Sequence, residues 1–258
     1  MNGARLALHQ FRYDQKTFWR NPAAAGFAVA LPVLFLLIFA TIFGNQTTVV
    51  DGRQVRVATY QVPGIITLAL VSATYVNLTI TITGLRERRI LKRLRATPLP
   101  AWAFFASRIG NAAVVTFLLA GVLLLIGRVL YGVTLNAATL VGAVLTLLVG
   151  AASMCSLAMA TTAIIPSEQA APPIANVIVL PLYFISGIFI PSEVLPSWMR
   201  DLSQVLPVGS LFHALLKAFD PTEGFPGIAW GDLAKVAAWG AGGLVVALLT
   251  FRWTPRGD

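Results

Sequence analysis

Charge is scarce in this chain, and acidic charge most of all. Only 11% of its 258 residues are Asp, Glu, Lys or Arg, against about 25% in an average soluble domain. Ten of them are acidic. Several uncharged runs exceed the roughly 18 residues at which an apolar stretch reads as a membrane span. With 57% hydrophobic residues, the composition describes a polytopic, all-α membrane protein rather than one or two soluble domains.

Cysteine is nearly absent too. Cys155 stands alone in an apolar run, so no disulfide framework or thiolate metal site can be assembled from this chain. It reads as a small buried hydrophobe. His9 and His213 lie far apart, without carboxylate or Cys partners at ligand spacing, so no metal site is expected. There is no Gly-x-x-x-x-Gly-Lys-[Ser/Thr] phosphate loop and no Gly-Lys pair at all. No pair of carboxylates falls inside a span, where ion-coupled carriers keep an ionisable residue. The chain is not expected to be an enzyme by itself, and energy for uphill transport must come from elsewhere. The segment MNGARLALHQFRYDQKTFWR has no compact apolar region before its charges end, so no cleavable signal peptide is expected.

What charge there is, is concentrated. The stretch Arg86 to Pro100, RERRILKRLRATPLP, holds six of the nineteen basic residues between two almost uncharged apolar segments. One Arg or Lys at the centre of a bilayer costs roughly 2.5–3.5 kcal/mol, so six together must sit in water, and a membrane protein keeps such a cluster on the cytoplasmic side. The net charge of +9 follows from this topology rather than from nucleic-acid binding, because the cations flank apolar spans. Ile90, Leu91 and Leu94 share one helical face, with Glu87 one turn before Leu91. Thr97-Pro98-Leu99-Pro100 stops that helix, because proline lacks the N–H and restricts its predecessor. Two readings fit a short basic helix with an apolar ridge: a solvated loop that sets topology, or a docking surface for a cytoplasmic partner.

Taken in order, residues 1–22 are basic and mixed. They suit either an interfacial helix, apolar side in lipid and Arg side toward anionic headgroups, or a basic tail. Span 1 follows from Asn21-Pro22 to Phe43, with Pro32 inside it. In the polar loop 44–61, Asp51-Gly52 between β-favouring residues predicts a small hairpin. Span 2, about Pro63 to Gly84, is polar for a span: Thr67, Thr74, Asn77 and Thr81 form one stripe at helical spacing. Such residues serve interhelical packing or line a substrate path, and the pattern alone favours neither. Span 3 covers Ala103–Gly127 and span 4 Ala137–Ile165, rich in small residues that let helices approach closely. Glu168 reads as a solvated residue in the turn between spans 4 and 5. Span 5, Pro172 to Ile190, carries Asn176 and Tyr183. Pro191, Pro196 and Pro207 then forbid one continuous helix, which predicts two short broken helices over residues 191–219. Span 6, Leu233–Phe251, contains a Gly240-Ala241-Gly242-Gly243 packing patch. Thirteen of the nineteen basic residues fall on one side of this six-span arrangement, with both termini among them, and that side is the cytoplasmic one.

The basic stretch resembles the cytoplasmic coupling helix of ABC-2 type ABC-transporter permeases, the membrane subunits of drug, antibiotic and polysaccharide exporters. There the run commonly reads E-R-E-x-G-T-L-K-R-L-R-x-T-P-L. Arg86, Glu87, Leu91, Lys92, Arg93, Leu94, Arg95, Thr97, Pro98 and Leu99 match it. Leu85, Arg89 and Ile90 depart from the usual Glu, Gly and Thr. A second match lies in Ser186–Leu216, where Ser186, Gly187, Pro191, Leu195, Pro196, Trp198, Pro207, Ala214 and Leu215 are similar to the end of span 5 and the re-entrant pair of that family.

The resemblance implies a single ABC-2 type transmembrane domain over residues 1–258. It comprises an N-terminal interfacial helix (1–22), a coupling helix (86–100) and an outer re-entrant segment (191–219). It implies that Glu87, Ile90, Leu91, Lys92, Arg93, Leu94, Arg95, Thr97 and Pro98 dock a cytoplasmic ABC ATPase subunit. ATP and Mg would be bound there, with no cofactor in this chain. It further implies a second permease subunit and a path for a hydrophobic or amphipathic substrate, for which Thr67, Thr74, Asn77, Thr81, Asn176 and Tyr183 are the candidates. The expected setting is the lipid bilayer of a bacterial cytoplasmic (inner) membrane, with both termini cytoplasmic. An ion-coupled secondary carrier or a non-transporting membrane scaffold is the competing expectation.

Overall fold

The fold is a computed structural model, and it describes residues 3–20, 22–43, 47–50, 53–96, 100–133, 135, 137–190, 195–220 and 224–251. The expected Thr97, Pro98 and Leu99 of the docking stretch, and Pro191, lie outside the described residues.

The chain folds around its second long helix. α3 (Val57–Val71) is buried at every position from Tyr60 to Val71, the sign of a helix apolar all round and enclosed by others. Around it pack α2 (Pro22–Phe43), α6 (Ala101–Tyr131), α7 (Leu140–Thr162) and α10 (Pro207–Ala218). α11 (Trp230–Thr250) lies outside them and lays one face along α7. That contact depends on the small-residue patch. A Cβ on Gly240 would stand 2.4 Å from the Ser153 hydroxyl, and one on Gly243 would stand 3.0 Å from the Leu157 backbone nitrogen. Gly242 faces open space instead. The two buried glycines therefore bring the helix backbones together, as small residues do where lipid supplies no hydrophobic drive.

Several elements follow the sequence closely. α1 (Gly3–Trp19) is an amphipathic helix with Leu8, Tyr13 and Trp19 exposed. β1 (Thr47–Val50) and β2 (Arg53–Arg56) pair antiparallel with Val50 opposite Arg53, as the expected hairpin requires, while Asp51-Gly52 lie outside the described residues. α8 (Ala171–Ile185) is followed by two short helices, α9 (Ser197–Val205) and α10, separated at Leu206 by Pro207, the first residue of α10. Proline is pre-organised for that first position and incompatible with a continuing helix.

Among the described residues, four helical stretches are long and apolar enough to cross a membrane: Val57–Glu87, Trp102–Tyr131, Ala137–Thr162 and Trp230–Thr250. The apolar stretches Ala28–Phe43 and Ala171–Ile185 are shorter. Span 5 was expected to run to Ile190, but α8 stops at Ile185 and the chain turns through Gly187 at φ +82°.

Two features correct the sequence reading. The second span is not one α-helix: Ser72–Val76 is a π-helical segment between α3 and α4 (Asn77–Glu87). Such a segment adds about one residue to a 3.6-residue turn, rotating everything beyond it by about 100° relative to an unbroken helix. The basic helix also starts later than the motif suggests. α4 runs on through Glu87, Arg89 adopts φ +58°, and α5 covers only Ile90–Arg95. Arg89 occupies the position where the motif has Gly. The left-handed conformation costs an L-residue roughly 1–2 kcal/mol, and most for a β-branched one. The Arg89→Gly variant should therefore melt no lower than the parent in detergent, whereas Arg89→Val should be less stable than Arg89→Gly by about 1–2 kcal/mol.

Candidate functional site

The basic segment presents one apolar and one charged face, as its spacing requires. Leu91 is wholly buried, Ile90 and Leu94 are half-buried, and Arg89, Lys92 and Arg93 are exposed. Leu91 and Leu94 join the main apolar core, so α5 rests on the body of the protein. Glu87 stands apart from it, at the exposed end of α4.

The elbow between α4 and α5 is tied to the opposite turn of the bundle. Arg86 is buried, at 3% exposure, and donates to the carbonyls of Thr162 (2.7 Å) and Ile165 (2.6 Å). Thr162 is the last residue of α7 and Ile165 lies in the turn beyond it, so the guanidinium meets the negative end of the helix dipole, satisfies a carbonyl the helix leaves open, and ties in the turn that follows. Arg88 donates from Nη2 to Glu168 Oε1 (2.6 Å) and from Nε to Glu168 Oε2 (3.1 Å), a bidentate fork. The hydrogen-bonded carboxylate raises the Arg88 guanidinium above its ordinary value. Glu87 Oε2 accepts the backbone N–H of Glu168. Glu168 is therefore not a merely solvated turn residue: three consecutive side chains of α4 and its end hold the α7–α8 turn. A Cβ on Gly84 would stand 3.1 Å from the Glu168 carboxylate, so the absence of a side chain at Gly84, just before the basic motif, gives Glu168 its room.

A second charged site joins α1 to the start of α6. Asp14 is buried and faces Arg108 at 3.4 Å, while Ser107 (3.1 Å) and Gln10 (3.0 Å) donate to its two oxygens. Burial raises the Asp14 carboxyl above its ordinary value, and Arg108, Ser107 and Gln10 pull it back down. Arg108 also sits 5.3 Å from the Phe104 ring centroid, within the range of a cation–π contact. The sequence reading missed Asp14, Arg108 and the role of Glu168. The signal was present: Arg108 is the single charge from Ala101 to Gly127, and Glu168 the single charge between Arg128 and Glu193.

The four residues of the expected stripe, Thr67, Thr74, Asn77 and Thr81, do not share one face. Thr67 and Thr74 are wholly buried and return their hydroxyl protons to the carbonyls of Pro63 (2.9 Å) and Leu70 (2.7 Å). Tyr183 is buried on α8, where its hydroxyl lies 3.0 Å from that of Ser72 and donates to the Leu68 carbonyl (3.3 Å). Tyr75 reaches the Thr161 hydroxyl at 2.9 Å, so the π-helical segment is held by both α8 and α7. Asn77 is exposed beyond that segment, Thr81 is half-buried and donates to the Asn77 side chain (3.2 Å), and Asn176 is exposed on α8. The π-helical rotation is why the stripe Thr67–Thr74–Asn77–Thr81 breaks after Thr74. α4 and α8 pack together, which places Asn77, Thr81 and Asn176 on neighbouring helices.

These features describe a multi-pass membrane protein with a basic elbow seated on its helices through Leu91 and Arg86. The family model described as ABC-2 type transporter matches residues 9–219, and the chain belongs to that family. The matched domain is the membrane component of an ABC transporter, and it is not itself catalytic. No curated protein matches the chain.

Proposed function

We propose that the chain is the permease subunit of an ATP-driven ABC exporter in a bacterial cytoplasmic membrane. It crosses six times and keeps both termini inside. α5 docks a separate cytoplasmic ATPase that binds ATP and Mg, and two permease subunits pair around a path for a hydrophobic or amphipathic substrate such as a drug, antibiotic or lipid. The observation that carries this reading is the seating of α5. Its apolar ridge is anchored in the core through Leu91, while Arg89, Lys92 and Arg93 remain exposed. A loop whose charges only set topology needs no such anchor. Asn77, Thr81 and Asn176 are offered as polar positions on the path, beside the exposed Val177, Leu180 and Phe184 of α8. Thr67, Thr74 and Tyr183 support that wall from behind.

The test is a triple variant, Arg93→Glu, Arg95→Glu and Leu94→Asp, assayed in inverted vesicles with the ATPase and a fluorescent amphipathic drug. Membrane insertion should be unchanged. Drug moved per ATP hydrolysed should fall by about tenfold or more, the size of an ordinary coupling between sites. Transport retained at the parent ratio would refute the docking role of α5.

A further inference from the structure

The buried and half-exposed contacts at the α4–α5 elbow carry more than the docking surface itself. We infer that Glu168 is a positioning residue that makes the α7–α8 turn move with the elbow, so that a displacement received by α5 is delivered to α8. The inference rests on the proposed function, in which α5 receives the movement of a partner.

The geometry favours transmission over simple anchoring. Glu168 is gripped twice by neighbouring residues of the elbow, through its carboxylate by Arg88 and through its backbone N–H by Glu87. Two grips on one residue fix its orientation as well as its position. The turn that carries it is stiff. Ala163 and Ile164 donate back to the carbonyls of Ala160 and Thr161, Ala170 donates to the carbonyl and hydroxyl of Ser167, and Ala171, the first residue of α8, donates to the Glu168 carbonyl. A push on Glu168 therefore reaches the first turn of α8 without a slack segment to absorb it. Further along α8, Tyr183 holds Ser72 and the Leu68 carbonyl. The chain of contacts thus runs from the α4–α5 elbow through Glu168 and α8 to the π-helical segment of the second span, and π-helical turns inside α-helices are frequently found at functional sites. Stability is a poor explanation for the bridge, because an ion pair this exposed contributes little to it. Packed elements joined by hydrogen bonds are the physical means by which displacement travels.

Spin labels on the complex with its ATPase test this directly. In a Cys155→Ser background, Ala96→Cys reports α5 and Val177→Cys reports α8, each measured against Gly242→Cys on α11. All three sites are exposed. Distances are compared in the nucleotide-free and ATP–vanadate states. In the parent, both α5 and α8 should shift. With Glu168→Gln and Arg88→Ala, α5 should still shift while the nucleotide-dependent population of the shifted α8 state falls by about tenfold. The exchanged pair Arg88→Glu with Glu168→Arg should restore most of that population, which a purely structural defect would not allow. If α8 follows α5 unchanged in the uncoupled variant, the role of Glu168 is overturned and the docking of α5 stands. If α5 does not respond to nucleotide in the parent, the proposed function falls and the inference with it.

Discussion

Replacing Asp14 by Ala is expected to cost the protein about 3–5 kcal/mol, because it leaves the buried Arg108 guanidinium without its opposing charge. Arg108 is only 14% exposed at its side chain. The carboxylate also takes hydrogen bonds from Gln10 and Ser107, so Gln10 loses this acceptor as well, while Ser107 keeps the Phe104 carbonyl at 2.8 Å. A fall in the detergent melting temperature of the purified permease measures the loss. The double replacement Asp14→Leu with Arg108→Met should recover most of it, since removing both charges abolishes the desolvation cost along with the attraction. If the double variant is as unstable as the single one, the cost comes from packing and the charge argument is wrong. The consequence is functional as well as structural. This pair lies within the packed contact of α1 with α6, and α6 begins shortly after the basic segment, so α1 and the elbow both lean on the start of α6.

Arg86→Met should be nearly as damaging, at about 3 kcal/mol. It removes two charge-assisted hydrogen bonds worth roughly 1.5–3 kcal/mol each and leaves the carbonyls of Thr162 and Ile165 without that donor. Part of that loss is returned, because the variant no longer desolvates a guanidinium. Arg86→Lys should recover little, since an ammonium is a point charge and cannot fork between two carbonyls. The same melting measurement separates the cases. A lysine variant as stable as the parent would show that charge alone, not the planar fork, holds the end of α7.

Much of this architecture was legible one residue at a time. The strand pair followed from the β-favouring residues on either side of residues 51–52, and Val50 stands opposite Arg53. The break between α9 and α10 followed from Pro207. The apolar ridge of α5 followed from the spacing of Ile90, Leu91 and Leu94, and the burial of Leu91 agrees with it. Each of these is a local rule, set by the φ/ψ a residue permits or by the period of a helix. The polar stripe of the second span failed for the same reason that the others succeeded. Helical spacing predicts a common face only while the helix keeps 3.6 residues per turn, and nothing local at Ser72–Val76 announces the π-helical segment. It is held there by Tyr183 and Thr161, 111 and 86 residues away from their partners.

The sequence by itself determined a chain of apolar helices interrupted by one concentrated basic stretch, and the helix break at Pro207, because apolar composition and proline geometry act on short stretches. Only the tertiary structure decided that Glu168 meets Arg88 and Glu87, that Asp14 meets Arg108, and that Arg86 turns inward to cap α7. A lone charge in an apolar run announces that it needs a partner. Which partner it finds depends on which helix ends are brought side by side, and that is settled by packing around α3.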